Sequence, residues 1–182
     1  MENPVLLAIG KAVFPLIASI FVLWLAYRRK IGLGTGIGLQ MPNVSRGSMC
    51  IIAWILLMSV EELIFSFFQM PSPKHWSEMP TVIFLLKAFA LGFSGPVVEE
   101  IVFRGLLPQM LSKRGWSMAR TIVFCAVAWA VMHFDYSPLI LVFVLIDGIA
   151  LGWARHYTKS IYVPIAMHML GNFYSIYQMT SS

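Results

Sequence analysis

The 182-residue chain is 59% hydrophobic and only 12% charged, and its mean hydropathy of +0.79 excludes an ordinary soluble domain. Its net charge of +5 does not point to nucleic acid, because the basic residues are scattered between apolar runs rather than interleaved with aromatics. Cys50 and Cys125 both lie inside apolar runs, which leaves neither a disulfide framework nor a CxxC metal site.

Apolar runs bounded by charge, Gly or Pro predict spans over residues 4–26, 49–70, 81–107, 119–134, 138–154 and 161–179. The expected fold is all-α, a polytopic integral membrane bundle of about six transmembrane helices forming one domain over residues 1–182. The first run lacks a basic leader and a small-residue cleavage site and ends at Arg28, Arg29 and Lys30, so it reads as an uncleaved anchor. In the following IGLGTGIGLQ, glycines alternate at 32, 34, 36 and 38 without the Lys or the strand-to-helix context of a phosphate loop. That stretch reads as a flexible or surface-lying connection.

The second run carries Glu61 and Glu62, with Ser66 where a partnering arginine would stand. These acids read as neutralised or snorkelling side chains, with Lys11 and Lys87 available as partners across helices. The third run holds VVEEIVFRG, residues 97–105. Each charge at the bilayer centre costs on the order of 2.5–3.5 kcal/mol, so Glu99, Glu100 and Arg104 need a reason to be there. Glu100 and Arg104 are spaced i, i+4 with the acid first, the better order for an ion pair. Glu99 lies about 100° round the helix and has no partner on its own element. An unbroken helix from Thr81 to Lys113 would be about 48 Å long, too long for a bilayer, and Gly95, Pro96 and Pro108 are placed to bend it.

The later runs repeat the i, i+4 spacing with Trp129 and His133, then with His168 and Asn172. Counted at 1.5 Å per residue from the basic end of each run, Glu99 lies about 21 Å deep, His133 about 20 Å, His168 about 14 Å and Asn172 about 20 Å. Four polar groups thus converge at similar depth. A carboxylate beside an imidazole suits general base catalysis on water, with Glu99 poised by His133. His168 and Asn172 are then placed to donate to the oxyanion of a tetrahedral intermediate. In this scheme Glu100 and Arg104 support the wall of the site, and Asp147, at similar depth, is available to orient a histidine or to make a structural hydrogen bond. Cys125 sits about 12 Å from His133 along the same run and does not suit a thiol nucleophile. His75 and His156 read as solvated loop residues.

Other readings use the same residues. Glu99, His133 and His168 are of the right types to hold a catalytic zinc, although the HExxH spacing is missing. A peptide-binding scaffold, such as a bacteriocin-immunity partner, would use the cluster without cutting, and a proton-coupled transporter would need an acidic path across the whole bilayer. Orientation follows from the Lys/Arg count in the connections: with the N-terminus outside, the outer loops hold only Lys74, while Arg28, Arg29, Lys30, Arg46, Lys113, Arg114, Arg120, Arg155 and Lys159 fall inside.

Glu99-Glu100-x-x-x-Arg104, Trp129-x-x-x-His133 and His168-x-x-x-Asn172, in that order on successive apolar runs, resemble the CAAX protease and bacteriocin-processing family (CPBP, or Abi) of intramembrane glutamic endopeptidases. The resemblance covers about residues 81–177, within a catalytic core of 81–179 formed by the C-terminal four helices. Residues 1–70 carry two spans without family motifs. The resemblance implies that Glu99 and His133 activate water, that His168 and Asn172 form the oxyanion hole, and that no cofactor is needed. Trp129 stands where the family usually has Phe. The chain is shorter than the eukaryotic prenyl-protein proteases, so the expected substrate is another membrane-anchored peptide or protein, cut by a relative of the prokaryotic type in a cytoplasmic membrane.

Overall fold

The computed structural model describes residues 3–69, 76 and 78–181. Lys74 and His75 lie outside the described residues. Six long helices account for most of the rest: α1 (Pro4–Arg28), α2 (Val44–Phe67), α3 (Thr81–Ser112), α4 (Met118–Val131), α5 (Pro138–Thr158) and α6 (Tyr162–Ser181). Their starts are written in the sequence. The side chains of Asn3, Asn43, Ser117 and Ser137 accept from the backbone N–H of Val5, Arg46, Arg120 and Ile140, satisfying donors that a helix N-terminus leaves free. Asn43 moves the start of α2 forward to Val44 from the expected residue 49.

Among the described residues, four helices, α1, α2, α3 and α5, are long and apolar enough to cross a membrane. Their flanks are studded with exposed Leu, Ile, Phe and Val, as an apolar solvent requires. The protein is an integral membrane helix bundle. α4 falls short of a full span: its 14 residues reach about 20 Å against about 30 Å of hydrocarbon. α6 is the least apolar of the six and packs against α2, α3 and α5.

α3 solves its length problem by widening. Two π-helical stretches, Ala90–Ser94 and Ile101–Leu106, bracket the regular turn Gly95–Glu100. Each ends in an i to i+5 bond just before a proline: Gly95 N–H donates to Ala90 O ahead of Pro96, and Leu107 N–H donates to Val102 O ahead of Pro108. Proline has no N–H to continue the ladder and its ring crowds the carbonyl four residues back, so a wider turn relieves both problems without breaking the helix.

The glycine-rich connection departs from its expected role. Leu33–Ile37 forms a π-type turn, and Ile31 and Ile37 are buried in a small core with Ala26. Arg155, expected in a solvated connection, is buried on α5 and donates to Gly36 O at 2.8 Å and Ile37 O at 3.2 Å. Gly38 has φ +96°, and a Cβ there would lie 2.6 Å from the Arg155 guanidinium. The backbone of this turn is therefore satisfied by a cation from elsewhere in the chain, so it can tuck inward instead of lying on the surface. His156 likewise lies on the last turn of α5 rather than in a loop, where it is exposed.

The main core joins Cys50 and Trp54 of α2, Phe103 of α3, Trp129 of α4, Leu151 and Ala154 of α5, and Val163 and Met167 of α6. Trp129 sits in this core and faces the polar cluster described next.

Candidate active site

The regular turn of α3 aims its two acids in different directions. Glu100 is 0% exposed, and its Oε1 accepts from Arg104 Nη1 at 2.9 Å. The same oxygen lies 2.9 Å from His168 Nδ1. A carboxylate only accepts, so His168 carries its proton on Nδ1 and donates it. Arg104, 2% exposed, also donates to Gly148 O at 3.4 Å, and its guanidinium carbon lies 4.5 Å above the Trp129 ring. Helices α3, α4, α5 and α6 are thereby tied together around one ion pair. Removing both charges from water is costly, and the stacked ring and the extra donors offset part of that cost.

Glu99 keeps 28% of its side chain exposed. Its Oε2 accepts from Trp129 Nε1 at 2.6 Å and lies 4.0 Å from His168 Nε2. His133 enters from the other end of Trp129. The helix α4 ends at Val131, so His133 lies in the following turn and not on the helix where the apolar run placed it. The i, i+4 relation survives as a cap-like bond: His133 Nδ1 is 2.9 Å from Trp129 O. A carbonyl can only accept, so the proton is on Nδ1 and the Nε2 lone pair is free. The Trp129 ring stands edge-on to both imidazoles, 4.9 Å from His133 and 5.3 Å from His168 between centroids.

Asn172, one turn beyond His168 on α6, donates from Nδ2 to Leu91 O at 2.7 Å. Leu91 lies in the first π-helical stretch of α3. The two helices come close there because Gly92 has no side chain: a Cβ would lie 2.6 Å from the ring of Phe173. One N–H of the Asn172 amide is used by Leu91, and the second remains.

Tyr136 was not among the residues read from the sequence. Its ring lies 5.6 Å from His133 in the loop after α4. Partial burial first, then the negative charges of Glu99 and Asp135, push its hydroxyl above the usual tyrosine value. It follows His133 by three residues, but both lie in the turn after α4, where helical spacing does not report which side chains meet.

The remaining candidates separate from the cluster. Glu62 accepts from Gln178 Nε2 at 2.9 Å, and Lys87 lies over the Trp76 ring at 5.7 Å. Asp147 and Glu61 approach each other across α5 and α2, so Asp147 has a carboxyl rather than a histidine beside it. Cys125 is buried on α4. Among the described residues, no group of three or more His, Cys, Asp or Glu is disposed to hold a metal ion.

The geometry of residues 81–174 can be set beside known proteins. No curated protein and no solved structure matches the chain. A family model does match, over residues 81–174, the stretch from the start of α3 to two residues past Asn172. That model describes the type II CAAX prenyl endopeptidase Rce1-like proteins, membrane proteases, and with more than half of its residues matched this chain belongs to that family.

Proposed function

We propose that this protein is an intramembrane endopeptidase that hydrolyses a peptide bond of a membrane-associated protein or peptide, with water activated by Glu99 and His133. The observation that carries the reading is the division of labour between adjacent acids. Glu100 is sealed against Arg104 and His168, whereas Glu99 stays partly open and is held by the Trp129 N–H.

In the proposed reaction Glu99 takes one proton from water, and the Nε2 lone pair of His133 holds the other hydrogen. The water oxygen bonds to the substrate carbonyl carbon, and the carbonyl electron pair moves onto oxygen. His168 Nε2–H and the second Asn172 N–H stabilise that oxyanion, a contribution of about 3–4 kcal/mol for a pre-placed donor. Collapse breaks the C–N bond, and the departing amine takes the proton held by Glu99. Because the Nδ1–H of His168 is engaged in its hydrogen bond to Glu100, an Nε2–H donor is present only in the imidazolium form. With both glutamates ionised, Arg104 and His168 balance them, and the cluster is neutral, as a low-dielectric site favours. The basic connections lie at the end of the bundle away from the N-terminus, which supports an outside N-terminus.

The test is cleavage of a library of membrane-anchored peptides, prenylated and unprenylated, by the protein in liposomes. Cleavage that survives Cys125→Ala and chelator but is lost in folded Glu99→Gln and His133→Ala supports the glutamate mechanism. Chelator-sensitive cleavage restored by zinc would replace it with the metal reading through Glu99, His133 and His168. Tight binding without cleavage by the wild type would replace it with the scaffold reading.

A further inference from the structure

One end of the bundle gathers positive charge in segments that contain no acid. The connections 29–43 and 113–117, with the helix ends around them, hold Arg28, Arg29, Lys30, Arg46, Lys113, Arg114 and Arg120. The acids of the chain are Glu2, Glu61, Glu62, Glu78, Glu99, Glu100, Asp135 and Asp147, so none falls in these segments. Arg28 stacks over Trp24 and Arg46 over Tyr157. Arg29, Lys113 and Arg114 instead line, with Ile31 and Met110, a cleft of about 150 Å³.

This cleft is organised. Lys113 Nζ donates to Arg29 O at 3.1 Å and Lys30 O at 3.5 Å, the carbonyls at the C-terminus of α1, where the helix dipole favours a cation. Arg29 and Arg114, just past the ends of α1 and α3, line the same cleft as this ammonium, and guanidinium forks match phosphate oxygens. The cleft also has a defined depth. On the last turns of α1, Trp24 and Tyr27 are 48% and 72% exposed, the position of an aromatic belt at the level of lipid headgroups. We propose that this cleft seats the phosphodiester headgroup of an anionic phospholipid. The cations take the phosphate, and the apolar side chains of Ile31 and Met110 take the glycerol and first methylenes, which a free phosphate ion lacks. Bound there, the lipid would clamp the end of α1 to the end of α3, the helix that carries Glu99 and Glu100.

The experiment is a thermal-shift titration of the full chain in neutral detergent with short-chain phosphatidylglycerol, short-chain phosphatidylcholine or inorganic phosphate. Phosphatidylglycerol is expected to raise Tm saturably, and the other two to leave it unchanged. Arg29→Gln/Arg114→Gln is expected to weaken the phosphatidylglycerol midpoint about tenfold or more, since each interfacial cation contributes to anionic-lipid binding. Arg120→Gln/Lys159→Gln, with the same loss of charge outside the cleft, is expected to keep the wild-type midpoint. Equal weakening in both double variants, equal shifts from phosphatidylcholine, or a shift from inorganic phosphate alone would each overturn the proposal.

Discussion

Trp129 Nε1 and Glu99 Oε2 stand 2.6 Å apart, while the carbonyl of the same tryptophan holds His133 Nδ1 at 2.9 Å. One residue therefore sets both the carboxylate and the imidazole that the proposed mechanism aims at water. An aromatic ring alone would also pack in the core. The indole N–H adds a donor that phenylalanine lacks, and it is aimed at the Glu99 carboxyl at 2.6 Å.

Trp129→Phe separates these two contributions. The smaller ring leaves a gap in the core and the bond to Glu99 is lost, so the melting temperature is expected to fall by several degrees while the protein stays folded. Loss of a bond to a charged group worth about 1.5–3 kcal/mol should lower kcat roughly 10- to 100-fold. Cleavage kinetics beside a circular-dichroism melt check this, and kcat within twofold of wild type would remove the tryptophan from the mechanism.

The two adjacent acids should respond oppositely to the same substitution. Glu100→Gln leaves Arg104 buried without its counter-charge, and breaking such a pair costs about 3–5 kcal/mol. Glu99→Gln alters a side chain that is 28% exposed and should leave stability within about 1 kcal/mol of wild type. Denaturation of the two variants in the same detergent makes the comparison. Equal stability would mean that Glu100 is not the structural member of the pair.

Asn172→Ala should lower kcat about 10²- to 10³-fold with KM little changed, the signature of a donor used in the transition state. The loss of its bond to Leu91 O is a separate effect, visible as a drop in Tm. A variant that raises KM but keeps kcat would make Asn172 a substrate-binding residue instead.

Gly38→Ala tests the tucked connection. Its φ of +96° is unfavourable for alanine, and the added Cβ would press on the Arg155 guanidinium at 2.6 Å. A cost of about 1–3 kcal/mol is expected for the strain, with faster proteolysis between residues 31 and 40. Wild-type protease resistance would show that the turn tolerates a rearranged Arg155.

Much of the architecture was legible because membrane helices advertise themselves as apolar runs ending in Asn, Ser, Gly or charge. The i, i+4 spacing of Glu100 and Arg104 likewise foretold their ion pair. The end of α4 was not legible, since Met132 and Phe134 continue the apolar run past the point where the chain turns. Nor was the burial of Ile31 and Ile37, which depends on an arginine more than a hundred residues away. The π-helical turns of α3 were half visible: Pro96 and Pro108 marked where the helix must yield but not that it would widen. Trp129 was legible as a supporting residue from its i, i+4 spacing with His133, but not as a donor to Glu99, because spacing does not report which way an indole N–H points.

The most direct test of the mechanism is a single-turnover cleavage measurement comparing wild type with Glu99→Gln in the same liposomes, both verified as folded. The expected result is cleavage by the wild type and a rate at least about a thousandfold lower in the variant, as befits loss of the group that takes the proton from water. Cleavage by Glu99→Gln within tenfold of wild type would contradict the assignment of Glu99 as the base.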